Sequence, residues 1–152
     1  MRRRHRLDGP RLGAPRGRTH TRINARGKRR RQGRSARILI IEDEPEERRA
    51  LQLVLQTDRC EVRAAAGGDE ALAMLDQFRA DLVVMDWRMP GLSGAGLCRR
   101  IRARANAPPI VVVSSADEAF ESAEDIFAAL RKPVDLGELQ AVIGSRLPSQ
   151  PR

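Results

Sequence analysis

Five acidic, hydroxyl or amine side chains stand directly after short apolar runs, a placement that could assemble a reactive site. They are Glu42, Asp43, Asp86, Ser115 and Lys132. In open parallel sheets the carboxyl ends of the strands meet at one edge, where ligands bind. If the apolar runs are neighbouring strands, all five side chains converge there. Each residue alone has an ordinary explanation, as a solvated helix start, a turn residue or an exposed lysine, so the joint placement carries the prediction.

The residue types indicate phosphoryl chemistry. Three carboxylates at close range repel one another, so one pKa must rise or a cation must bind. Oxygen ligands without a nearby His or Cys favour Mg²⁺. Asp86 then has the features of a nucleophile towards phosphorus, while Lys132 and the Ser115 hydroxyl could hold the phosphoryl oxygens. The product would be an aspartyl phosphate, which water hydrolyses and which suits transient signalling.

Five strand-like runs alternate with helical periodicity and predict the elements that position these side chains. The predicted strands are Ile38–Ile41, Cys60–Ala65, Leu82–Met85, Ile110–Val113 and Ile126–Leu130. Repeated strand-helix units with right-handed crossovers predict an α/β fold. Its predicted form is a three-layer, doubly wound parallel sheet with the flavodoxin-like strand order 2-1-3-4-5. A capping box formed by Asp135 and Glu138 is predicted to start the last helix.

The charge is distributed unevenly along the chain. Residues 1–36 carry fourteen Arg and Lys against one acid, whereas the remainder has fifteen bases and nineteen acids. The first segment has few large apolar side chains, so a disordered Arg-rich tail is predicted. Such a tail could bind nucleic acid without sequence preference, or anionic lipid, through phosphate contacts. A translation start downstream of the tail is the alternative.

The two cysteines and the hydropathy indicate the compartment. Cys60 and Cys98 are predicted to be reduced core or near-core residues, because two cysteines make no disulfide framework in a chain of 152 residues. No apolar run approaches the roughly 18 residues of a membrane helix, and no secretion signal precedes the domain. A cytoplasmic protein is expected.

Residues 37–147 resemble the receiver domain of two-component response regulators. The motifs that carry the resemblance are Ile38–Pro45, Gly67–Leu72, Asp81–Gly94, Ser114–Ala116 and Arg131–Pro133. The resemblance implies that Asp86 is the phospho-acceptor, and that Asp43 binds Mg²⁺ with help from Glu42 and the main-chain carbonyl of Arg88. It also implies that Ser115 and Lys132 contact the phosphoryl group. The bond from Lys132 to Pro133 is commonly cis in this family.

The chain departs from the family pattern in its fourth helix. Only sixteen residues separate Ser115 from Lys132, which leaves room for a helix of at most about two turns. The family's usual aromatic switch position falls on Ala129. With residues 148–152 as a short C-terminal tail, a stand-alone receiver is expected.

The predicted function is phosphoryl acceptance from a sensor histidine kinase or a histidine phosphotransfer protein. The signal would then pass to an unknown downstream protein by contact, with the domain catalysing its own phosphorylation and dephosphorylation and not acting as a turnover enzyme. Two alternatives stay open. One is a pseudo-receiver that binds partners without a phosphate switch. The other is a nucleic-acid-binding protein that acts through the basic tail.

Overall fold

Five parallel strands form one sheet in the computed structural model, which describes residues 34–117, 119 and 125–147. The strands are β1 (Ala36–Ile41), β2 (Cys60–Ala65), β3 (Leu82–Met85), β4 (Ile110–Ser114) and β5 (Ala128–Arg131). Their order across the sheet is β2-β1-β3-β4-β5, with every neighbouring pair parallel. The predicted fold class and strand order are confirmed.

Four helices flank this sheet in the described part of the chain. They are α1 (Pro45–Leu55), α2 (Gly68–Gln77), α3 (Gly94–Arg102) and α4 (Leu136–Arg146). None of them has the length and apolar composition needed to span a bilayer. The predicted short helix before β5 falls largely on residues 118 and 120–124, which lie outside the described residues. The predicted tails at residues 1–36 and 148–152 also lie outside them, except for residues 34–36, of which Ala36 belongs to β1.

Three strands differ from their predicted bounds, and one of them, β4, extends one residue further than predicted, to Ser114. β1 begins at Ala36 because this residue pairs with Cys60 and donates its N–H to the Arg59 carbonyl at 2.8 Å. The ladder of β5 runs from Ala128 to Arg131, so the prediction of a strand from residue 126 was wrong. Apolar patterning reports which residues are buried, whereas backbone pairing decides where a strand begins.

The core lies on both faces of the sheet. Successive strand residues point to opposite faces. Ile38 and Ile40 therefore pack in the layer that contains residues of α1 and α4, while Leu39 and Ile41 pack in the layer of α2 and α3. Because β1 is buried on both sides, the residues that follow it have a fixed position at the carboxyl edge of the sheet.

Both cysteines are free, as predicted. Cys60 is half-buried and Cys98 is buried. Burial, with a smaller contribution from the charge of Asp125, raises the pKa of the Cys98 thiol to about 11. Cys98 therefore belongs to the core as a neutral thiol.

Helix caps fix the starts of two helices. The Asp135 carboxylate accepts a hydrogen bond from the Glu138 N–H at 2.8 Å, which is one of the two hydrogen bonds of the predicted capping box at the start of α4. The Ser93 hydroxyl accepts one from the Gly96 N–H at 3.1 Å and caps α3. These side chains satisfy backbone donors that have no partner within the helix.

The loop between β3 and α3 is held by a close contact between Trp87 and Gly94. Trp87 is buried and belongs to the core layer of α2 and α3. A Cβ atom added at Gly94 would lie 2.6 Å from both the Cδ2 atom and the carbonyl oxygen of Trp87. Only glycine lets the helix start this close to the residue that follows Asp86.

Replacing Gly94 by alanine is expected to lower the free energy of unfolding by about 1–3 kcal/mol, the usual cost of overpacking a filled core. The matched control is Gly144→Ala in α4, where an added Cβ meets nothing within 4 Å. That change is expected to raise stability by about 0.5–1 kcal/mol, because alanine is the better helix former. Urea denaturation of both variants is the measurement, and equal effects of the two changes would contradict the packing argument.

Candidate functional site

Asp86 stands where β3 leaves the sheet. Its N–H donates to the Ile41 carbonyl at 3.0 Å, so one hydrogen bond continues the contact between β1 and β3 beyond the last strand residue. The Asp86 side chain is only 12% exposed. Five residues further on, Gly91 takes a φ of 90°, a conformation that favours glycine, and turns the chain away. The carboxylate is thereby fixed at the carboxyl edge.

The carboxylates of Glu42, Asp43 and Asp86 lie together at this edge. One oxygen atom from each lies within 4.8 Å of the others. The first two residues directly follow β1, and the Glu42 N–H extends the pairing with β2 by donating to the Ala65 carbonyl at 3.1 Å. The donor set is entirely oxygen and carries three negative charges when ionised, which is the chemistry that hard divalent cations prefer.

Glu42 is the most buried of these acids, at 2% exposure. Burial raises the pKa of its carboxyl above the ordinary value of 4.5, and the charges of Asp86 and Glu47 raise it further. A hydrogen bond from the Glu44 N–H at 3.1 Å and the charge of Lys132 oppose this rise. The ionised form of Glu42 is therefore stabilised by the positive charge of Lys132.

Lys132 supplies that charge from the end of β5. Its N–H donates to the Ser114 carbonyl at 3.1 Å, and the following bond to Pro133 is cis, as the family resemblance implied. Its Nζ lies 3.1 Å from Asp86 Oδ2 and 3.4 Å from Glu42 Oε2. Burial lowers the pKa of Lys132, but hydrogen bonds to Glu47 and Asp86 outweigh it, so the net pKa lies above its ordinary value. The amine stays charged at neutral pH.

The remaining predicted site residues, Arg88 and Ser115, differ in their contacts. The Arg88 N–H donates to Asp86 Oδ1 at 3.1 Å, which orients the carboxylate. Ser115 directly follows β4 at the same edge and is exposed. The preceding Ser114 is buried instead, and its hydroxyl accepts from the Ala116 N–H at 3.1 Å. In the described structure Ser115 makes no hydrogen bond to the acids or to Lys132.

Two further residues reach the site from the first turn of α1. Glu47 accepts a hydrogen bond from Lys132 Nζ at 2.5 Å. The Arg48 guanidinium donates to the carbonyls of Glu42 at 2.8 Å and Asp43 at 3.0 Å. Neither Glu47 nor Arg48 was predicted as a site residue. Their position one turn after the paired acids is the signal that could have identified them.

Comparison with known proteins places this arrangement in a family. The family model described as response regulator receiver domain matches residues 38–144. The chain belongs to this family. Receiver domains of this kind are not turnover enzymes.

Curated relatives of this receiver domain are bacterial response regulators. The transcriptional regulatory protein AfsQ1 of Streptomyces coelicolor is 36% identical over 111 residues, which cover 70% of this chain and 48% of that protein. The DNA-binding response regulator MtrA of Mycolicibacterium smegmatis is 30% identical over 116 residues, which cover 73% of this chain and 50% of that protein. The chain thus spans about half the length of these relatives.

Solved structures share the fold of this receiver domain. A response regulator receiver protein from Pseudomonas putida superposes with a TM-score of 0.69 at 33% identity, covering 75% of this chain and 99% of that one. The response regulator protein TrrA from Thermotoga maritima, in complex with Mg²⁺-BeF, gives a TM-score of 0.68 at 28% identity. This match covers 74% of this chain and 99% of that one.

Replacing Lys132 by methionine is expected to raise the pKa of Glu42 further, because the positive charge that lowers this pKa is lost. We also expect the free energy of unfolding at neutral pH to fall by about 1.5–3 kcal/mol, the usual contribution of a hydrogen bond to a charged group. An NMR titration of the Glu42 side-chain carboxyl carbon measures the pKa. Lys132→Arg, which keeps the charge, is the control. An unchanged or lower Glu42 pKa in the methionine variant would contradict the assigned electrostatics.

Proposed function

We propose that this receiver domain accepts a phosphoryl group on Asp86 and passes a signal by protein contact in a two-component or phosphorelay pathway. The observation that carries the proposal is the position of Lys132 Nζ, 3.1 Å from an Asp86 oxygen and beside the acidic cluster of Glu42, Asp43 and Asp86. A nucleophile, a charge-balancing amine and a set of oxygen ligands are the components of phosphoryl transfer.

Asp86 is the nucleophile in this proposal. One carboxylate oxygen forms a bond to phosphorus, while the bond from phosphorus to the donor's oxygen or nitrogen breaks and the donor keeps the electron pair. The hydrogen bond from the Arg88 N–H to Oδ1 at 3.1 Å orients the carboxylate. Lys132 would stabilise negative charge on the phosphoryl oxygens, and the exposed Ser115 hydroxyl would turn towards another of them.

Mg²⁺ fits the acidic cluster. The cluster offers three carboxylates and no nitrogen or sulfur ligand, and the Thermotoga maritima relative was solved with Mg²⁺-BeF. Asp43 and Asp86 would hold the ion directly, with Glu42 assisting and the main-chain carbonyl of Arg88 completing the protein ligands. A bound Mg²⁺ would supply positive charge that offsets the charge of the transferring phosphoryl group.

The phosphoryl donor in the cell would be a sensor histidine kinase or a histidine phosphotransfer protein, and the domain would act in the cytoplasm. The domain would catalyse its own phosphorylation and, through attack by water, its own dephosphorylation. These assignments are supported by membership of the receiver family and by the amine and acidic cluster beside Asp86.

Incubation with acetyl phosphate and Mg²⁺ is expected to add one phosphoryl group to the wild-type chain and none to Asp86→Asn, because the amide is a poor nucleophile. Intact-protein mass spectrometry, followed by peptide mapping after borohydride trapping of the acyl phosphate, is the measurement. Asp69→Asn, a change of an exposed acid at the start of α2, is the control and should be modified like the wild type. No modification of the wild type would indicate a pseudo-receiver instead.

Asp43→Asn is expected to weaken Mg²⁺ binding at least about tenfold, since loss of even a group that only supports a metal ligand costs ten- to a hundredfold. Trp87, the only tryptophan of the chain, directly follows Asp86, so its fluorescence reports the titration. Asp58→Asn changes an exposed acid in the turn before β2, at the opposite edge of the sheet, and should leave the affinity unchanged. Equal affinities of both variants would contradict the metal assignment.

A further inference from the structure

The ammonium group of Lys132 is shared among three carboxylates. Its Nζ lies 2.5 Å from Glu47 Oε2, 3.1 Å from Asp86 Oδ2 and 3.4 Å from Glu42 Oε2. An ammonium has three N–H donors and no acceptor. The three acids therefore use the full donor capacity of Lys132 in this structure.

Phosphoryl transfer brings new hydrogen-bond acceptors to Lys132. The inference therefore rests on the proposed function. When an Asp86 oxygen bonds to phosphorus and the donor leaves with its electron pair, three charged phosphoryl oxygens arrive beside the amine. Lys132 can donate to one of them only by giving up a present partner. The structure indicates which partner this is.

Glu47 is the acid that can be released at the lowest cost. Its side chain is 50% exposed, so water can replace the lost hydrogen bond, whereas the Glu42 side chain is only 2% exposed. Release of Glu42 would leave a buried carboxylate without its compensating charge, which is strongly unfavourable. Asp86 carries the phosphoryl group itself and keeps its place beside the amine.

We propose that Glu47 is a positioning residue that holds Lys132 in the resting domain and releases it when Asp86 is phosphorylated. The contact connects the start of α1 to the residue after β5. Arg48, the next residue, stays bound to the Glu42 and Asp43 carbonyls and keeps the first turn of α1 in place. Phosphorylation then changes the partner of Glu47 at the surface of α1, and this turn reports the state of the site.

Three variants of the full chain test the role of Glu47 in phosphoryl uptake. Glu47→Gln removes the ion pair, and Glu47→Asp keeps the charge but shortens the side chain by one methylene group. Both are expected to take up phosphoryl from acetyl phosphate about two- to fivefold faster than the wild type, the ratio that corresponds to a half-exposed ion pair. Glu46→Gln removes a charge from the adjacent exposed residue of α1, which is not among the carboxylates bonded to Lys132 in the described structure, and should match the wild type.

The outcomes distinguish an effect of the hydrogen bond between Glu47 and Lys132 from an effect of the Glu47 charge alone. If only Glu47→Gln is faster while Glu47→Asp matches the wild type, the effect is one of charge, and the positioning role is overturned. Equal rates in all variants also overturn it but leave the proposed function intact. A wild type without any uptake at Asp86 overturns the proposed function and the inference together.

A spectroscopic readout follows the contact itself. In NMR spectra of the Lys132 side chain, Glu47→Gln should shift the Nζ resonance of the resting domain, and Glu46→Gln should not. Addition of beryllium fluoride and Mg²⁺ to the wild type should remove the dependence of this resonance on Glu47. A Glu47-dependent resonance that persists after beryllium fluoride binds would overturn the proposed release.

Discussion

The site depends on the balance between mutually repelling carboxylates and one amine. Glu42, Asp43 and Asp86 are held within 4.8 Å of one another, and the fold gains nothing from their proximity alone. Lys132 offsets part of this repulsion, and the burial of Glu42 makes that compensation necessary. The resting domain is therefore prepared for additional positive charge at the same edge, which is what a metal ion brings to phosphoryl chemistry.

The sheet explains how distant parts of the chain meet there. Parallel pairing of β1 with β3 and of β4 with β5 brings the residues after four strands to one edge. Backbone hydrogen bonds continue past the strands, from Asp86 to Ile41 and from Lys132 to Ser114, so the first residue beyond each strand keeps the strand's position. Outside the sheet, the packing of Gly94 on Trp87 fixes the loop that leaves Asp86. The packing that stabilises the core therefore also determines the geometry of the site.

Much of the fold and of the candidate site could be predicted from the sequence. An apolar run that ends in a charged residue indicates both a buried strand and the residue at which that strand leaves the sheet. The site acids and Lys132 were found in this way. Glu47 and Arg48 were not predicted, because their position one turn after the paired acids indicates proximity, whereas their actual contacts depend on how α1 packs on the sheet. The ends of β5 were also missed, because Ile126 is apolar and partly buried without pairing to β4. Ser115 follows β4 at the carboxyl edge, but its exposure could not be predicted, since Ser114 takes the buried position.

A crystal structure of the full chain with Mg²⁺ and beryllium fluoride tests the central claim most directly. The account predicts beryllium bonded to an Asp86 oxygen, Mg²⁺ bound to Asp43 and Asp86, and Lys132 in contact with a fluoride. Beryllium fluoride bound elsewhere, or Lys132 turned away from Asp86 in the complex, would contradict it.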